Sequence, residues 1–407
     1  MEYSAAVPRP AGVPQGIVLI LAATLSVMGV LVIAPILPQL MAAYADVPGI
    51  AFLGPVILTV PAVCIALFSP VAGWLADRVG RRRILIIAML LYAPLGAAPM
   101  FLDNIYAILA TRIGVGITEA FIMTASTTLI GDFFEGKRRD TWFAWQVGAC
   151  SVAAVGLLLL GGLLGSIDWR APFAVYLSAW ALALATIVMT WEPARRVEDF
   201  GHAGAGTAPF PVRLLALICG VTFFGGIVFY IVPIQLSVVL GQLGITNPAV
   251  IGGSAAFGSL VVPFGSLIFR RFSSVGTGPI LGGAFLLAGI GLVIMGISQT
   301  YELTMVGVLI NQLGCGIILP TLLAWVMTSL PPEARGRGVG IWTGTFFIGQ
   351  FFSPILLTTG SKILGSVGPA VVACGIVALA CAAVALIATF RGRNAATTLA
   401  ASGRDPA

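Results

Sequence analysis

The chain alternates long apolar runs with short polar connections. Taking runs of about 17 to 25 residues as long enough to cross a bilayer, the pattern predicts twelve helical spans, at 16–40, 50–75, 83–101, 104–131, 141–165, 171–190, 212–240, 246–269, 278–298, 302–329, 338–362 and 368–390. Residues 1–15 precede the first run and carry Glu2 and Arg9. The run behind them is too long for a signal-peptide core, so it is expected to stay as a span. Residues 191–211, rich in Gly, Ala, Pro and charge, read as a linker between a six-helix half at 16–190 and another at 212–390. Residues 391–407 form a tail.

Composition agrees with the spacing. Of 407 residues, 59% are hydrophobic and 9% charged, and the mean hydropathy is +1.06. A soluble domain carries about a quarter charged residues, so a soluble fold is excluded. The expected class is all-α and polytopic.

The charges also predict an orientation, because Lys- and Arg-rich loops stay cytoplasmic. With the N-terminus inside, eighteen of the 21 Lys and Arg residues fall on the cytoplasmic side, only Arg170 and Lys362 fall outside, and Arg112 lies within a span. Both termini are then cytoplasmic. The net charge of +6 is this topological bias, and no nucleic-acid partner is implied. The six cysteines all lie in spans without a CxxC pair and read as small buried hydrophobes. The single histidine, His202, lies in the linker, which excludes a histidine relay or a zinc site.

The two halves echo each other at a shift of 200 residues. Arg112, Ile113, Gly114, Val115, Gly116 and Ile117 align with Gln312, Leu313, Gly314, Cys315, Gly316 and Ile317, and Leu164, Gly165 and Ser166 with Leu364, Gly365 and Ser366. Pro70, Gly73, Leu75 and Arg78 find weaker counterparts in Pro263, Gly265, Leu267 and Arg270. Two pseudo-symmetric six-helix halves are the architecture this implies, with substrate held between them near mid-membrane.

The loop after the second span reads Gly73, Trp74, Leu75, Ala76, Asp77, Arg78, Val79, Gly80, Arg81, Arg82, Arg83. Gly73 suits close helix approach, Gly80 a sharp turn, and the basic run contact with anionic headgroups. The loop resembles the signature of the major facilitator superfamily, Gly, any, Leu, Ala, Asp, Arg, any, Gly, Arg, Arg or Lys, and meets every position. The resemblance implies a secondary transporter that alternates access, and a monomer. It also implies a latch in which Asp77 faces the start of the eleventh span, from Arg335 to Gly340, while Arg81 meets Asp132 at the end of the fourth. In the second half Phe269 stands where the acid would be, so the matching latch there is absent or weakened.

Two ionisable residues, Arg112 and Glu119, remain within the fourth span. Charge at membrane depth needs a protein or water partner and marks function by default. Seven residues apart, they lie on one helix face about 10 Å from each other, a face expected to look into the central cavity. A carboxyl group withdrawn from water is easier to protonate, so Glu119 is the candidate for proton exchange. Arg112 is its candidate counter-charge, or the binder of an anionic substrate. The segment is similar to the fourth-span motif of proton-coupled and organic-anion members. It departs from the drug-antiporter version, which favours Gln at Val115 and a small residue at Glu119. The fifth span has Gly148, Gly156, Gly161, Gly162 and Gly165 but no proline, so the Gly-Pro pair of exporters is missing. Further cavity candidates are the intramembrane polar residues Gln146, Tyr230, Gln235, Asn311, Gln312 and Gln350, which need hydrogen-bonding partners away from lipid. Trp145, Trp325 and Trp342 read as packing or interfacial residues.

No GxxxxGK phosphate loop and no catalytic constellation occurs, so neither an enzyme nor a cofactor is expected. The reading is a proton-coupled secondary transporter of small organic compounds in a bacterial-type inner membrane. Its partners are the substrate, protons and membrane lipid, and efflux is favoured. Proton-coupled uptake of an organic acid is the alternative. A non-transporting sensor on the same fold is the alternative of another class.

Overall fold

The computed structural model describes residues 11–193, 212–330 and 332–401, without the side chains of 273, 332–336 and 391–401. Most of the expected linker, with Arg195, Arg196, Glu198, Asp199 and His202, lies outside the described residues, as do the Arg335 side chain and the ends of both termini.

Twelve helices long and apolar enough to cross a membrane occur among the described residues: α1 (Val13–Ala43), α2 (Ile50–Val79), α3 (Arg81–Met100), α4 (Ile105–Phe133), α5 (Gly136–Gly165), α6 (Ala171–Met189), α7 (Val212–Gln242), α8 (Pro248–Phe272), α9 (Thr277–Ile297), α10 (Tyr301–Ser329), α11 (Arg337–Leu364) and α12 (Val367–Phe390). Four depart from the unbroken spans the apolar pattern predicts, α3 only in its last turn, Ala98–Met100, which is 3₁₀. In α1 a regular helix ends at Leu31 and gives way to a 3₁₀ turn at Ala34–Ile36 before Leu37–Ala43. Pro35 and Pro38, which lack an N–H for the helical ladder, explain the change of winding. The first part of α6, Ala171–Leu177, is 3₁₀ and carries Pro172 in its first turn. In α8, Pro248–Ser259 and Val262–Phe272 are separate segments that meet just before Pro263.

The chain divides into two compact units, one made of Met1–Asp46 and Ile57–Pro209, the other of Val47–Val56 and Phe210–Ala407. In the first unit α1 packs on α4 and α5, and α3 on α4 and α6. In the second, α9 packs on α10 and α12, α7 on α11, and α8 on α10. The aligned glycines of the repeat do the same work in both. A β-carbon on Gly116 would lie 2.5 Å from Pro61 Cα in α2, and one on Gly316 would strike the Val262 backbone of α8. Absence of a side chain at these two positions lets the backbones of neighbouring helices touch.

Burial follows the logic of a lipid solvent. Large apolar side chains are exposed on the helices, among them Leu163, Leu184, Val188 and Val384, whereas the largest fully buried side chain is that of Arg112. Lipid tails accept leucine without penalty, and an intramembrane guanidinium must be wrapped in protein.

Candidate functional site

Helix α4 starts at Asn104, whose side chain accepts from the backbone N–H groups of Tyr106 and Ala107 at 2.8 and 3.4 Å. This is a standard N-cap, satisfying donors that the first helical turn leaves open. Its mid-membrane stretch carries Arg112 and Glu119, 0% and 1% exposed. They form no ion pair among the described residues. A pair of tyrosines links them instead. The rings of Tyr92 on α3 and Tyr176 on α6 lie 5.2 Å apart, Tyr92 reaching Glu119 and Tyr176 reaching Arg112.

Arg112 Nη1 donates to the Tyr176 hydroxyl at 2.9 Å and Nη2 to the Gly96 carbonyl at 3.3 Å. Its guanidinium carbon sits 4.8 Å from the Tyr176 ring centre and 5.5 Å from that of Phe173, close enough for cation–π attraction. Only its Nε is buried without a partner. Gly96 admits the ring of Tyr176, which any β-carbon there would overlap.

Glu119 Oε1 accepts from the Gly29 backbone N–H of α1 and from the Tyr92 hydroxyl, each at 3.0 Å. Tyr92 also lies 2.9 Å from the carbonyl of Leu25. In an α-helix the N–H of residue 29 pairs with the carbonyl of residue 25, so α3 and α4 address both ends of one backbone step of α1. A hydroxyl has a single proton, so Tyr92 gives it to the carboxylate or to Leu25, not to both. Gly29 is required, because a β-carbon there would collide with the carboxylate. The expected cavity-facing stripe is, in this structure, sealed: the hydrogen-bond partners of both charges come from α1, α3 and α6 of the same unit.

The signature loop is built around Arg81. Its guanidinium donates to Asp77 at 3.1 and 2.8 Å and also pairs with Asp132 at the end of α4. Gly80, at φ +116°, makes the turn between α2 and α3. The Arg78 guanidinium lies over Trp74 at 4.0 Å. Gly73 is less constrained than expected, since a β-carbon there would make only an ordinary contact, 3.8 Å from Thr124. Arg82 and Arg83 do more than face headgroups. Arg82 donates to the Ile187 carbonyl at 2.7 Å and to the Thr190 hydroxyl at 3.2 Å, closing the end of α6. The backbone N–H groups of Arg82 and Arg83 hold the Glu192 carboxylate at 3.3 Å each, an anion at a helix N-terminus.

The remaining candidates separate by partner. Gln146 donates to Thr127 at 2.9 Å, tying α5 to α4. Asn311 donates to the Ala288 carbonyl at 3.1 Å and accepts from Cys315, tying α10 to α9. The Tyr230 ring packs at a tilt against those of Phe229 and Phe346. Gln235 is buried. Gln312 and Gln350 are 1% and 3% exposed, each with a buried carbonyl oxygen that has no partner. Trp145 is exposed and Trp342 buried, and all six cysteines are free thiols.

Sequence reasoning missed Tyr92, Tyr176, Gly29 and Glu192. The tyrosines carried a signal, a hydroxyl inside an apolar run. Gly29 carried none, being one glycine among 50.

A family model described as Major Facilitator Superfamily matches residues 19–354. The tetracycline resistance protein, class G, of Vibrio anguillarum is 27% identical over 367 residues, covering 84% of this chain and 89% of that protein. The class E tetracycline resistance protein of Escherichia coli is 26% identical over 350 residues, covering 82% and 84%. Among solved structures, a bacterial homolog of the human lysosomal transporter Spinster, in an inward-facing and occupied conformation, superposes with a TM-score of 0.73 at 17% identity, covering 96% of this chain and 98% of the other. A D-xylose-proton symporter does so with 0.75 at 15% identity, covering 90% and 96%.

Proposed function

Since the chain belongs to the Major Facilitator Superfamily and is a multi-pass membrane transporter, we propose that it exports small, amphipathic, drug-like organic compounds in exchange for protons, across a bacterial-type inner membrane. The relatives named as tetracycline resistance proteins support the direction and the substrate class. The observation that carries proton exchange is the sealed Glu119 carboxyl group, held by Gly29 of α1 and Tyr92 of α3.

An ionised carboxylate buried this deeply persists only if donors replace its water. Gly29 N–H and Tyr92 O–H are two such donors, and hydrogen bonds to a charged acceptor are about twice as strong as neutral ones. Protonation weakens both at once and lets the Tyr92 proton turn to Leu25. The grip of α4 on α1 therefore varies with the proton, which is the differential interaction a two-state transporter needs. In this reading the halves 16–190 and 212–390 rock about the linker 191–211 with both termini cytoplasmic. Gly73, Asp77, Arg78, Gly80, Arg81 and Asp132 latch one state, and the protein works as a monomer. Gln312 and Gln350, with open acceptors, are the preferred second-half substrate contacts, ahead of Gln146 and Asn311, which serve helix packing.

Uptake of an organic acid is the less favoured reading, because Arg112 spends both terminal nitrogens on Tyr176 and Gly96. The test is transport of tetracycline and a panel of drug-like amphiphiles into proteoliposomes under an imposed pH gradient. Substrate should accumulate against the proton flux with wild-type protein and not with Glu119→Gln. Transport indifferent to the gradient would sink the proposal.

A further inference from the structure

At the end of the first unit remote from the signature loop, α1 and α5 converge. A β-carbon on Gly161 of α5 would strike the Val32 carbonyl of α1, so the two helices touch, and the turn from α5 to α6 lies beside the last stretch of α1. Between them is a pocket of about 380 Å³, lined by Gln39 and Ala42 of α1 and by residues 165–170 of the turn. Gln39 and Ala42, three residues apart, share one helix face. The turn is held by Asp168, whose Oδ1 accepts from the Arg170 backbone N–H at 2.8 Å.

Two polar atoms of the lining side chains are buried without a partner: Gln39 Oε1, an acceptor, and Arg170 Nε, a donor. Buried polar atoms in this condition are rare in native proteins, and here both belong to one pocket. Each side chain is partly exposed, so a ligand can reach it. Arg170 is fixed in place. Its Nη2 donates to Asp103 at 2.5 Å and to the Leu102 carbonyl at 3.4 Å, and its guanidinium carbon lies 4.9 Å from the centre of the Trp169 ring. Trp169 in turn meets Tyr44 and Phe173 edge to face. Asp103 neutralises Arg170, whereas Asp168 is exposed and forms no ion pair among the described residues. The pocket is therefore left with the negative charge of Asp168.

We propose that this pocket binds a soluble organic cation, a primary ammonium with a hydroxyl group on the adjacent carbon, as in an amino sugar. The ammonium has three donors and no acceptor, which suits Asp168 and Gln39 Oε1 together. The neighbouring hydroxyl oxygen accepts from Arg170 Nε, and the carbon skeleton lies against Trp169. The negative charge selects a net cation over a zwitterion such as the headgroup of phosphatidylethanolamine. The site is separate from Glu119 and from the second-half contacts Gln312 and Gln350, and its occupancy does not depend on transport.

Saturation-transfer NMR on the purified full-length protein in detergent near neutral pH, titrated with D-glucosamine, tests this. Saturable binding is expected. D-Glucose, which lacks the amine, and cyclohexylamine, which lacks the hydroxyl, should each bind at least tenfold more weakly. Asp168→Asn and Gln39→Leu should each weaken glucosamine binding at least fivefold, and Ala42→Leu should do so by filling the pocket. Unfolding temperature without ligand checks that each variant folds, and Asp168, being exposed, is the substitution that leaves packing untouched. Asp140→Asn, which removes an exposed carboxylate elsewhere, should leave the affinity unchanged. Absence of saturable binding, or equal affinity for glucose and glucosamine, overturns the proposal. So does an unchanged affinity in the Asp168 and Gln39 variants, an equal loss in the Asp140 variant, or displacement of glucosamine by phosphatidylethanolamine at equal concentration.

Discussion

The backbone N–H of Gly29 in α1 donates to the carboxylate of Glu119 in α4 at 3.0 Å, with no room for a β-carbon between them. A side chain that titrates is thereby joined to the backbone of a neighbouring helix, so a change in its charge acts on the position of that helix.

Gly29→Ala tests the contact from the α1 side. The added methyl must displace the carboxylate, and overpacking of a buried site costs about 1–3 kcal/mol. A lower unfolding temperature in detergent is expected, together with loss of transport driven by a pH gradient.

Tyr92→Phe keeps the ring against Tyr176 and deletes only the hydroxyl. Leaving a buried acceptor short of a donor costs about 1–3 kcal/mol, a factor of roughly 5 to 150 in an equilibrium. Proton-driven transport should fall by about that factor, while substrate exchange without a pH gradient is largely preserved. Equal loss of both activities would assign Tyr92 to packing alone.

Asp132→Asn leaves Arg81 paired with Asp77 only. Both members of the broken pair are about a quarter exposed, and partly solvated pairs contribute about 1 kcal/mol or less. Unfolding temperature should therefore change little. Transport should fall several-fold, because the loop has lost its tie to α4, and accessibility labelling of single cysteines on either side of the membrane should report a shifted conformational balance.

Gly116→Val and Gly316→Val test the repeat. Each places a side chain into the backbone of a neighbouring helix, so both should destabilise by about 1–3 kcal/mol or more. Gly148→Ala, with open space around its β-carbon, is the matched control and should be neutral.

Membership of the superfamily was legible from the loop Gly73 to Arg83, because its pattern is contiguous and local. The repeat was legible too: Gly116 and Gly316, paired on the page by a shift of 200 residues, prove to make equivalent helix contacts. Breaks inside α1, α6 and α8 were not anticipated, although Pro35, Pro38, Pro172 and Pro263 are visible, because apolar length says nothing of winding. Arg112 and Glu119 were found by their cost, as charges in a span, but their partners were not. Arg112 and Glu119 form no direct ion pair among the described residues, and each is held by a tyrosine, Tyr176 and Tyr92.

The sequence by itself determined the solvent, the number of spans and the chemistry that is expensive to bury, since each follows from transfer free energy summed along the chain. The tertiary structure alone decided which backbone amide faces Glu119, which carbonyl faces Arg112, and that Arg82 closes the end of α6. These contacts join residues 90, 16 and 105 positions apart along the chain. Hydrogen bonds depend on distance and angle between whole helices, and no local pattern of residues encodes that.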